Sequence, residues 1–301
     1  MLNTVNSISK SQGTELTHPD KIIWEKPQIN KFQYLSYLSR AAPRMLPFLT
    51  GRQLTVIRWP HGVPGASFFQ KNCPDYAPDF IQTSEKDGTR YIVCNDLKTL
   101  LWMGNQLAIE YHIPFQKAGS VRPQEIVFDL DPAERADFPL AIKAAREMKQ
   151  LFDRLMIRGY PKLSGSRGIQ IHIPIHYLRL SYSDTRLFTS FVAGVLVEKF
   201  PDDFTTERLK KNRGGRLYID YVQHAAGKTI ICPYSPRGKE GATVAAPLFW
   251  EEVCDRLRME DFSIPAVFER MSNGTDPMRD FFQQKNDSLT RIIRSLKRRL
   301  C

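Results

Sequence analysis

The sequence predicts an α+β protein in which an RRM-like sheet is packed against an N-terminal α/β unit. Runs of alternating apolar residues and longer stretches with helical spacing follow one another in the order β-α-β-β-α-β between residues 121 and 260. That order is the split βαβ pattern of ferredoxin-like and RRM-like sheets. Residues 16–120 begin with a helix followed by strand segments, which indicates a separate unit.

The N-terminal unit is predicted to contain a helix, a sheet and a second helix. Residues 30–48 keep apolar side chains on one helical face, and strands are expected at 54–59 and 91–93. Asp96 has the character of an N-cap for a helix that runs to about Glu110. The first fifteen residues are polar, and we expect a disordered lead there.

The second unit begins with an apolar strand that ends in two aspartates. A long helix is predicted at 136–158, a strand–turn–strand segment at 164–175 and another helix at about 184–199. A basic loop then leads into a strand that ends at Asp220. The basic tail, residues 261–301, is predicted to be helical.

Composition indicates a globular protein with an anionic partner. The 301 residues are 42% hydrophobic, enough for a sizeable core, and Lys and Arg exceed Asp and Glu by 43 to 32. The resulting charge of +11 and pI near 9.4 predict a partner such as nucleic acid. Five cysteines in no metal-binding spacing predict reduced thiols in a cytoplasmic protein, and we expect no membrane association.

The acids at the strand ends are candidate metal ligands. Asp129 and Asp131 are two residues apart on a strand, so both side chains share one face, and Asp220 closes a second strand. Carboxylate oxygens are the ligands that Mg²⁺ and Mn²⁺ prefer. The alternative is a strand end followed by a helix start, with Asp131 as N-cap before Pro132.

The segment from Ser164 to Pro174, SGSRGIQIHIP, is a glycine turn that enters an alternating strand. Backbone N–H groups, the Ser164 hydroxyl and Arg167 in such a turn suit a phosphate, although many Ser/Gly turns have no ligand. Gln170 and His172 occupy the polar face of the strand and are expected to line the same cleft as the acids.

These segments together resemble the polymerase domain of bacterial LigD, an end-joining DNA repair protein of the archaeo-eukaryotic primase superfamily. The resemblance extends from about Leu16 to about Trp250. Its motifs are LTHPDKIIW, LTVIRWPHGVPGASFFQKN, IEYHIPF, VFDLDP, SGSRGIQIHIP, LYIDYVQHAAGKTIICPYSPRG and VAAPLFWEEV. One position departs from the family pattern, because many relatives place a histidine where this chain has Gln170.

The resemblance implies one primase-polymerase domain over residues 16–301. Within it, 16–120 would bind DNA ends, 121–260 would be the RRM-like catalytic unit and 261–301 the helical tail. The resemblance also implies a two-metal site of Mn²⁺ or Mg²⁺, in which three acids are both catalytic residues and metal ligands: Asp129, Asp131 and Asp220. The implied nucleotide ligands are His112, Ser164, Arg167, Gln170 and Arg237.

DNA contacts are implied in the first unit. Lys21 and Lys31 match two lysines with which relatives bind a 5′ phosphate, and Arg58 is a candidate phosphate contact. Phe68 and Phe69 are candidates to stack on a template base. Because neighbouring strand residues face opposite ways, we expect Phe69 to meet DNA and Phe68 to join the core.

The implied activity is template-directed nucleotide transfer that fills gaps and extends DNA ends in bacterial non-homologous end joining, with a preference for ribonucleotides. The expected partners are NTPs, gapped duplex with a 5′ phosphate, Ku and a DNA ligase, and the expected location is the cytoplasm at the nucleoid. A primase-like polymerase of replication or of a mobile element is the alternative. Pro132 and Ala133 disfavour a haloacid-dehalogenase phosphatase, which needs Thr or Val two residues after the second aspartate. A non-enzymatic DNA-end-binding module requires the acids to be structural.

Overall fold

The computed structural model describes residues 15–299 of the chain. The predicted disordered lead therefore lies outside the described residues, except for Glu15. Within residues 15–299 the strands are β1 (Ile22–Trp24), β2 (Ile29–Asn30), β3 (Thr55–Arg58), β4 (Phe68–Gln70), β5 (Thr83–Lys86), β6 (Thr89–Ile92), β7 (Ala108–Pro114), β8 (Glu125–Asp131), β9 (Tyr160–Leu163), β10 (Ile169–Pro174), β11 (Phe204–Thr205), β12 (Leu217–Asp220) and β13 (Thr229–Ile231). The α-helices are α1 (Lys31–Leu49), α2 (Leu97–Asn105), α3 (Phe138–Arg154), α4 (Tyr182–Lys199), α5 (Ile264–Ser272) and α6 (Ser288–Arg298).

The chain forms two compact units that interleave along the sequence. The first unit consists of residues 15–114, Thr229–Ala246 and Glu260–Asp276, and the second consists of Phe115–Lys228, Pro247–Met259 and residues 277–299. The chain returns to the first unit after Lys228 because β13 pairs with β7. The sequence analysis instead divided the chain into contiguous segments, with boundaries after residues 120 and 260.

The first unit is built on a four-stranded antiparallel sheet in the order β13-β7-β3-β4. Helix α1 begins at a capping box, in which the Asn30 side chain accepts from Gln33 N and the Gln33 side chain accepts from Asn30 N. Its buried residues lie at helical spacing: Tyr34, Leu35, Leu38, Ala41, Ala42 and Met45. The predicted helix at 30–48 is therefore confirmed.

One element of the first unit differs from the prediction and changes the site. The second helix was expected to reach about Glu110, but α2 ends at Asn105. Leu107 has a φ of 61°, outside the helical range, and β7 begins at Ala108 in the interior of the sheet. Glu110 and His112 are therefore two apart on a strand and share one face of the sheet.

The second unit contains a five-stranded sheet in the order β11-β12-β8-β10-β9. The predicted β-α-β-β-α-β sequence is present as β8, α3, β9, β10, α4 and β12, with its first and third strands adjacent at the centre. One face of β10 consists of Ile169, Ile171 and Ile173, which are fully buried. Phe128 of β8, Phe152 of α3 and Phe188 of α4 pack within 6.5 Å of one another by ring centroids. The helices therefore cover this apolar face and leave the opposite face to polar residues.

The C-terminal segment is less continuous than predicted. Residues 261–301 were expected to be a helical tail, but α5 and α6 are separated by a stretch of turns. Helix α6 belongs to the second unit, where Lys297 Nζ pairs with Asp184 Oδ1 of α4 at 2.5 Å. The four cysteines within residues 15–299 are free thiols.

Candidate active site

A row of four polar residues crosses the sheet of the second unit. Asp129 of β8 lies directly opposite Asp220 of β12 on one side and opposite Gln170 of β10 on the other. Gln170 in turn lies opposite Lys162 of β9. Side chains at paired positions of antiparallel strands point to the same face and are close neighbours. The register therefore brings two predicted acids and the predicted Gln170 together on the polar face of the sheet.

Asp220 is held by the turn that follows its strand. Its Oδ1 accepts hydrogen bonds from the N–H groups of Val222 at 3.1 Å and Gln223 at 2.8 Å, and from the Tyr218 hydroxyl at 3.1 Å. Three donors on one oxygen fix the orientation of the carboxylate. Asp220 is thus presented beside Asp129 in a defined position.

Asp131 is paired with Arg167. The guanidinium makes two parallel hydrogen bonds to the carboxylate, from Nε to Oδ1 at 3.0 Å and from Nη2 to Oδ2 at 2.9 Å. Both side chains are partly exposed, with 36% and 38% of their surfaces open for Arg167 and Asp131 respectively. This bidentate geometry is also the one that an arginine uses to bind a phosphate.

The turn that carries Arg167 is organised by Ser164. Its Oγ accepts from the backbone N–H groups of Ser166, Arg167 and Gly168 at 3.0–3.3 Å. The amides that the sequence suggested for a phosphate are therefore bonded within the turn. A Cβ on Gly168 would lie 2.2 Å from the Leu130 carbonyl oxygen, so only glycine allows the turn to pack against β8.

The charge balance around Asp129 is negative. Burial and the neighbouring charges of Asp131 and Asp220 raise the pKa of Asp129 to about 7, against the hydrogen bond from Gln170 and the charge of Lys162. The surrounding protein therefore compensates this carboxylate incompletely. A divalent cation would supply the missing positive charge, and the donors are of the oxygen type that Mg²⁺ and Mn²⁺ use.

The three acids are not assembled as a closed ligand set. Among residues 15–299, no group of three or more Asp, Glu, His or Cys side chains converges as a metal site would require. The ion pair with Arg167 and the turn bonds of Asp220 account for this, since each directs carboxylate oxygens to protein donors. The oxygen donors fit a cation in chemistry, and both oxygens of Asp131 accept hydrogen bonds from Arg167.

A second buried cluster lies in the first unit and surrounds Glu110. Its Oε2 is 3.0 Å from His112 Nε2 and 3.0 Å from Arg237 Nη1, and its Oε1 accepts from Gly238 N at 3.0 Å. Burial by itself would raise the pKa of Glu110, but the His112 hydrogen bond and the Arg237 charge hold it below its usual value. Two predicted nucleotide ligands are thus brought together by one carboxylate.

The two lysines predicted to bind a 5′ phosphate are held by neutral oxygens. Lys31 is buried, and its Nζ donates to the Thr17 carbonyl at 2.7 Å and to Thr17 Oγ1 at 3.0 Å. Lys21 Nζ donates to the Pro60 carbonyl. Burial and the charge of Lys21 lower the pKa of Lys31 to about 8. The two ammonium groups repel each other, and an anion would relieve that repulsion.

Both phenylalanines of β4 are accessible. Phe69 is 70% exposed and Phe68 45% exposed, so the expectation that Phe68 joins the core is wrong. Strand β4 is a three-residue edge strand, and the Arg58 guanidinium lies 5.4 Å from the Phe68 ring centroid. Arg58 also donates to Gln106 O at 2.7 Å and to the Tyr76 hydroxyl at 2.9 Å.

The sequence matches the family model of the LigD primase-polymerase domain over residues 30–278. The chain belongs to this family. It is 50% identical over 286 residues to the bifunctional non-homologous end joining protein LigD of Bacillus subtilis, which covers 95% of this chain and 47% of that protein. It is 32% identical to the multifunctional LigD of Mycolicibacterium smegmatis over 82% of this chain and 33% of that protein. The chain thus spans half or less of the length of these relatives.

A solved structure agrees with the LigD family assignment. The polymerase domain of Mycobacterium tuberculosis Ligase D, determined in complex with DNA, aligns with a TM-score of 0.83 at 28% identity. The alignment covers 91% of this chain and all of that one. The primase-polymerase fold inferred from the sequence motifs is therefore confirmed.

Two buried charged residues of this LigD-family chain were missed by sequence reasoning. Glu110 was placed at a helix end, although the alternation in IEYHIPF puts it on the same strand face as His112. Lys162 lies just before the strand–turn–strand segment predicted at 164–175 and was given no role. A lysine within a short apolar strand was the available signal, since lysine is rarely buried without a partner.

Proposed function

We propose that this chain is a template-directed nucleotidyltransferase that fills short gaps and extends DNA ends in bacterial non-homologous end joining, with a preference for ribonucleotides. One observation carries the proposal. The strand register places Asp129 opposite Asp220 on the polar face, with Asp131 two residues away on the same face. Family membership supports reading these acids as the centre of nucleotidyl transfer.

We propose that Asp129, Asp131 and Asp220 would together hold two Mn²⁺ or Mg²⁺ ions. Such ions, when bound, activate the 3′ hydroxyl and stabilise the leaving pyrophosphate. The protein's contribution is to orient the carboxylates: the turn holds Asp220, and Gln170 bonds to Asp129 at 3.1 Å.

Arg167 has a proposed second partner. Its guanidinium is bound to Asp131, and the same pair of donors can engage two oxygens of a triphosphate. When Arg167 exchanges the Asp131 carboxylate for a phosphate of the nucleotide, Asp131 loses its hydrogen bonds to Arg167. The negative charge of the nucleotide then takes the place of Asp131 beside the guanidinium. Ser164 supports this exchange by holding the Arg167 turn in shape. His112 and Arg237 stay predicted nucleotide ligands in the first unit, where Glu110 holds both.

The first unit is proposed to hold the DNA end. Lys21 and Lys31 would meet the 5′ phosphate, and Phe69 would stack on a template base. Charge-assisted bonds between ammonium and phosphate are roughly twice as strong as neutral ones. The basic net charge of +11 agrees with such a substrate.

Ku and a DNA ligase are the proposed partners, and the cytoplasm at the nucleoid is the proposed location. The curated relatives are named as non-homologous end joining proteins, and the solved relative is named Ligase D, which supports a ligase partner. In the part of the chain that the structure describes, every helix is too short or too polar to cross a bilayer.

The decisive experiment is extension of a gapped duplex that carries a 5′ phosphate. Each reaction contains Mn²⁺ or Mg²⁺ and either ribo- or deoxynucleotides, and Asp129→Ala serves as the inactive control. We expect templated extension with ribonucleotides preferred. Efficient unprimed synthesis on single-stranded template would favour a primer-making enzyme instead, and no extension with either metal would contradict the proposal.

A further inference from the structure

Lys162 has an unusual position for a lysine. Its side chain is fully buried in β9, and its Nζ donates to Gln170 Oε1 and, at 3.4 Å, to the Leu163 carbonyl. A buried ammonium is costly unless its protons are well matched by acceptors. The Gln170 amide is one such acceptor, and Gln170 is itself buried.

The lysine determines which way the Gln170 amide points. An ammonium group has donors only, so the carbonyl end of the amide has to face Lys162. The NH₂ end then faces the other way, and Gln170 Nε2 donates to Asp129 Oδ1 at 3.1 Å. Lys162, Gln170 and Asp129 occupy directly paired positions on β9, β10 and β8, so the bonds run along one row of the sheet.

We propose that Lys162 is a positioning residue that acts through Gln170 to orient the Asp129 carboxylate for cation binding. We call this chain of hydrogen bonds, from Lys162 through Gln170 to Asp129, the relay. It bonds to Oδ1 of Asp129 and makes no bond to Oδ2. Partners that hold a metal ligand in place commonly change metal affinity 10- to 100-fold when they are removed. This inference rests on the proposed metal site at Asp129.

The relay also explains how the chain accommodates the departure at residue 170. A neutral imidazole accepts a hydrogen bond on one ring nitrogen and donates from the other. A histidine at this position could therefore accept from Lys162 and donate to Asp129, as the glutamine does. A leucine of similar size can do neither.

The test measures Mn²⁺ binding to the intact 301-residue chain without nucleotide or DNA, by calorimetry and by electron paramagnetic resonance. We expect Lys162→Met and Gln170→Leu each to weaken Mn²⁺ binding about tenfold or more. Gln170→His should bind within about threefold of the wild type, because it restores the relay. The double variant should bind Mn²⁺ about as tightly as the single variant with the lower affinity, because both changes break the same chain of hydrogen bonds.

Two controls separate this inference from loss of folding. Lys149→Met removes a lysine of α3 that pairs with Asp153, and we expect wild-type Mn²⁺ affinity from it. Circular dichroism and thermal unfolding establish that each variant is folded. If Lys162→Met does not fold, the comparison of Gln170→Leu with Gln170→His tests the relay by itself. Both variants retain Lys162, but only the histidine can accept a hydrogen bond from Lys162 and donate one to Asp129.

The outcomes distinguish the relay from the metal site itself. Wild-type Mn²⁺ affinity in folded Gln170→Leu, with binding lost in Asp129→Ala, would overturn the relay and leave the proposed function standing. Equal Mn²⁺ affinity in wild type and Asp129→Ala would overturn both. Steady-state kinetics add a second readout: a positioning role lowers kcat at saturating Mn²⁺ with little change in KM for the nucleotide, whereas a direct Gln170 contact raises that KM.

Discussion

Two carboxylates, the buried Glu110 in the first unit and the partly buried Asp129 in the second, have opposite electrostatic environments. Each lies on a strand of a sheet and accepts hydrogen bonds from side chains. The pKa of Glu110 is lowered, because His112 and Arg237 outweigh the effect of burial. The pKa of Asp129 is raised to about 7, because burial is reinforced by two further acids. Burial acts in the same direction on both carboxylates, so the difference between their pKa values comes mainly from the neighbouring charges.

The difference indicates what each cluster requires from outside the protein. Glu110 already has partners within the protein, because Arg237 forms an ion pair with it and His112 is within hydrogen-bonding distance. Asp129 has one lysine at the far end of a relay and two acids beside it, which is the environment that the proposed divalent cation would compensate. Lys21 and Lys31 form the reverse case, because two positive groups are bonded to neutral oxygens and the proposed 5′ phosphate would compensate their charge.

The largest expected effect is on catalysis. Asp129→Ala should reduce extension of a gapped duplex to background, because a ligand of the proposed metal site is removed. Its affinity for DNA and its thermal stability should remain close to those of the wild type, since the change also relieves repulsion. Normal extension by this variant would mean that the negative cluster has no catalytic role.

A large effect is also expected at Glu110. Glu110→Gln should lower the free energy of unfolding by about 2–4 kcal/mol, because Arg237 loses the carboxylate that compensates it. The folded-state pKa of Glu110 lies below its unfolded value, so its stabilisation is present above pH 4.5 and is lost as the pH falls. Denaturant unfolding between pH 3 and 7 measures this, with the exposed Glu85→Gln as the control.

Asp129 should show the opposite pH dependence. Its folded-state pKa of about 7 lies above the ordinary value of 3.8, so metal-free protein binds extra protons when folded and loses stability between pH 4 and 7. In Asp129→Asn this loss should be smaller by up to a few kcal/mol. If the contributions of Glu110 and Asp129 to the free energy of unfolding change in the same direction with pH, the proposed difference between their electrostatic environments is wrong.

A moderate effect is expected at the lysine pair. A 5′ phosphate should tighten binding of gapped DNA about tenfold or more, and Lys21→Ala with Lys31→Ala should remove that preference. Because the pKa of Lys31 is about 8, the preference should weaken as the pH rises through 8. Fluorescence anisotropy with phosphate- and hydroxyl-ended DNA tests this. Lys26→Ala, an exposed lysine of the same unit, is the control and should keep the preference.

The smallest expected effect is on DNA binding by the exposed aromatic ring of Phe69 in the first unit. Phe69→Ala should weaken binding to a single-stranded template by about 1 kcal/mol, since stacking on one base contributes at least that much. The loss should be independent of base sequence and far less sensitive to salt than the loss in the lysine variant. An effect with the same salt dependence would mean that Phe69 supports the charged contacts instead of stacking.

Local patterns predicted what depends on one strand or helix at a time. The alternation in EIVFDLDP correctly placed Asp129 and Asp131 on one face, with Leu130 buried behind them. The same reasoning failed at Glu110, where helical spacing was extended past Leu107. The hydrophobic pattern does not show the left-handed backbone at Leu107 that ends the helix. It also could not show that β13 returns to the first unit.

The sequence by itself determined the family, the order of elements in the five-stranded sheet and the chemical nature of the predicted ligands, because these follow from motifs and short-range periodicity. Only the tertiary structure decided the charge around each carboxylate. Strand register set Asp129 between Asp220 and Gln170, and brought Lys162 to the end of the same row from 33 positions along the chain. Electrostatic energies depend on distances of a few ångströms between residues that the sequence separates widely, so they arise only when the sheet has formed.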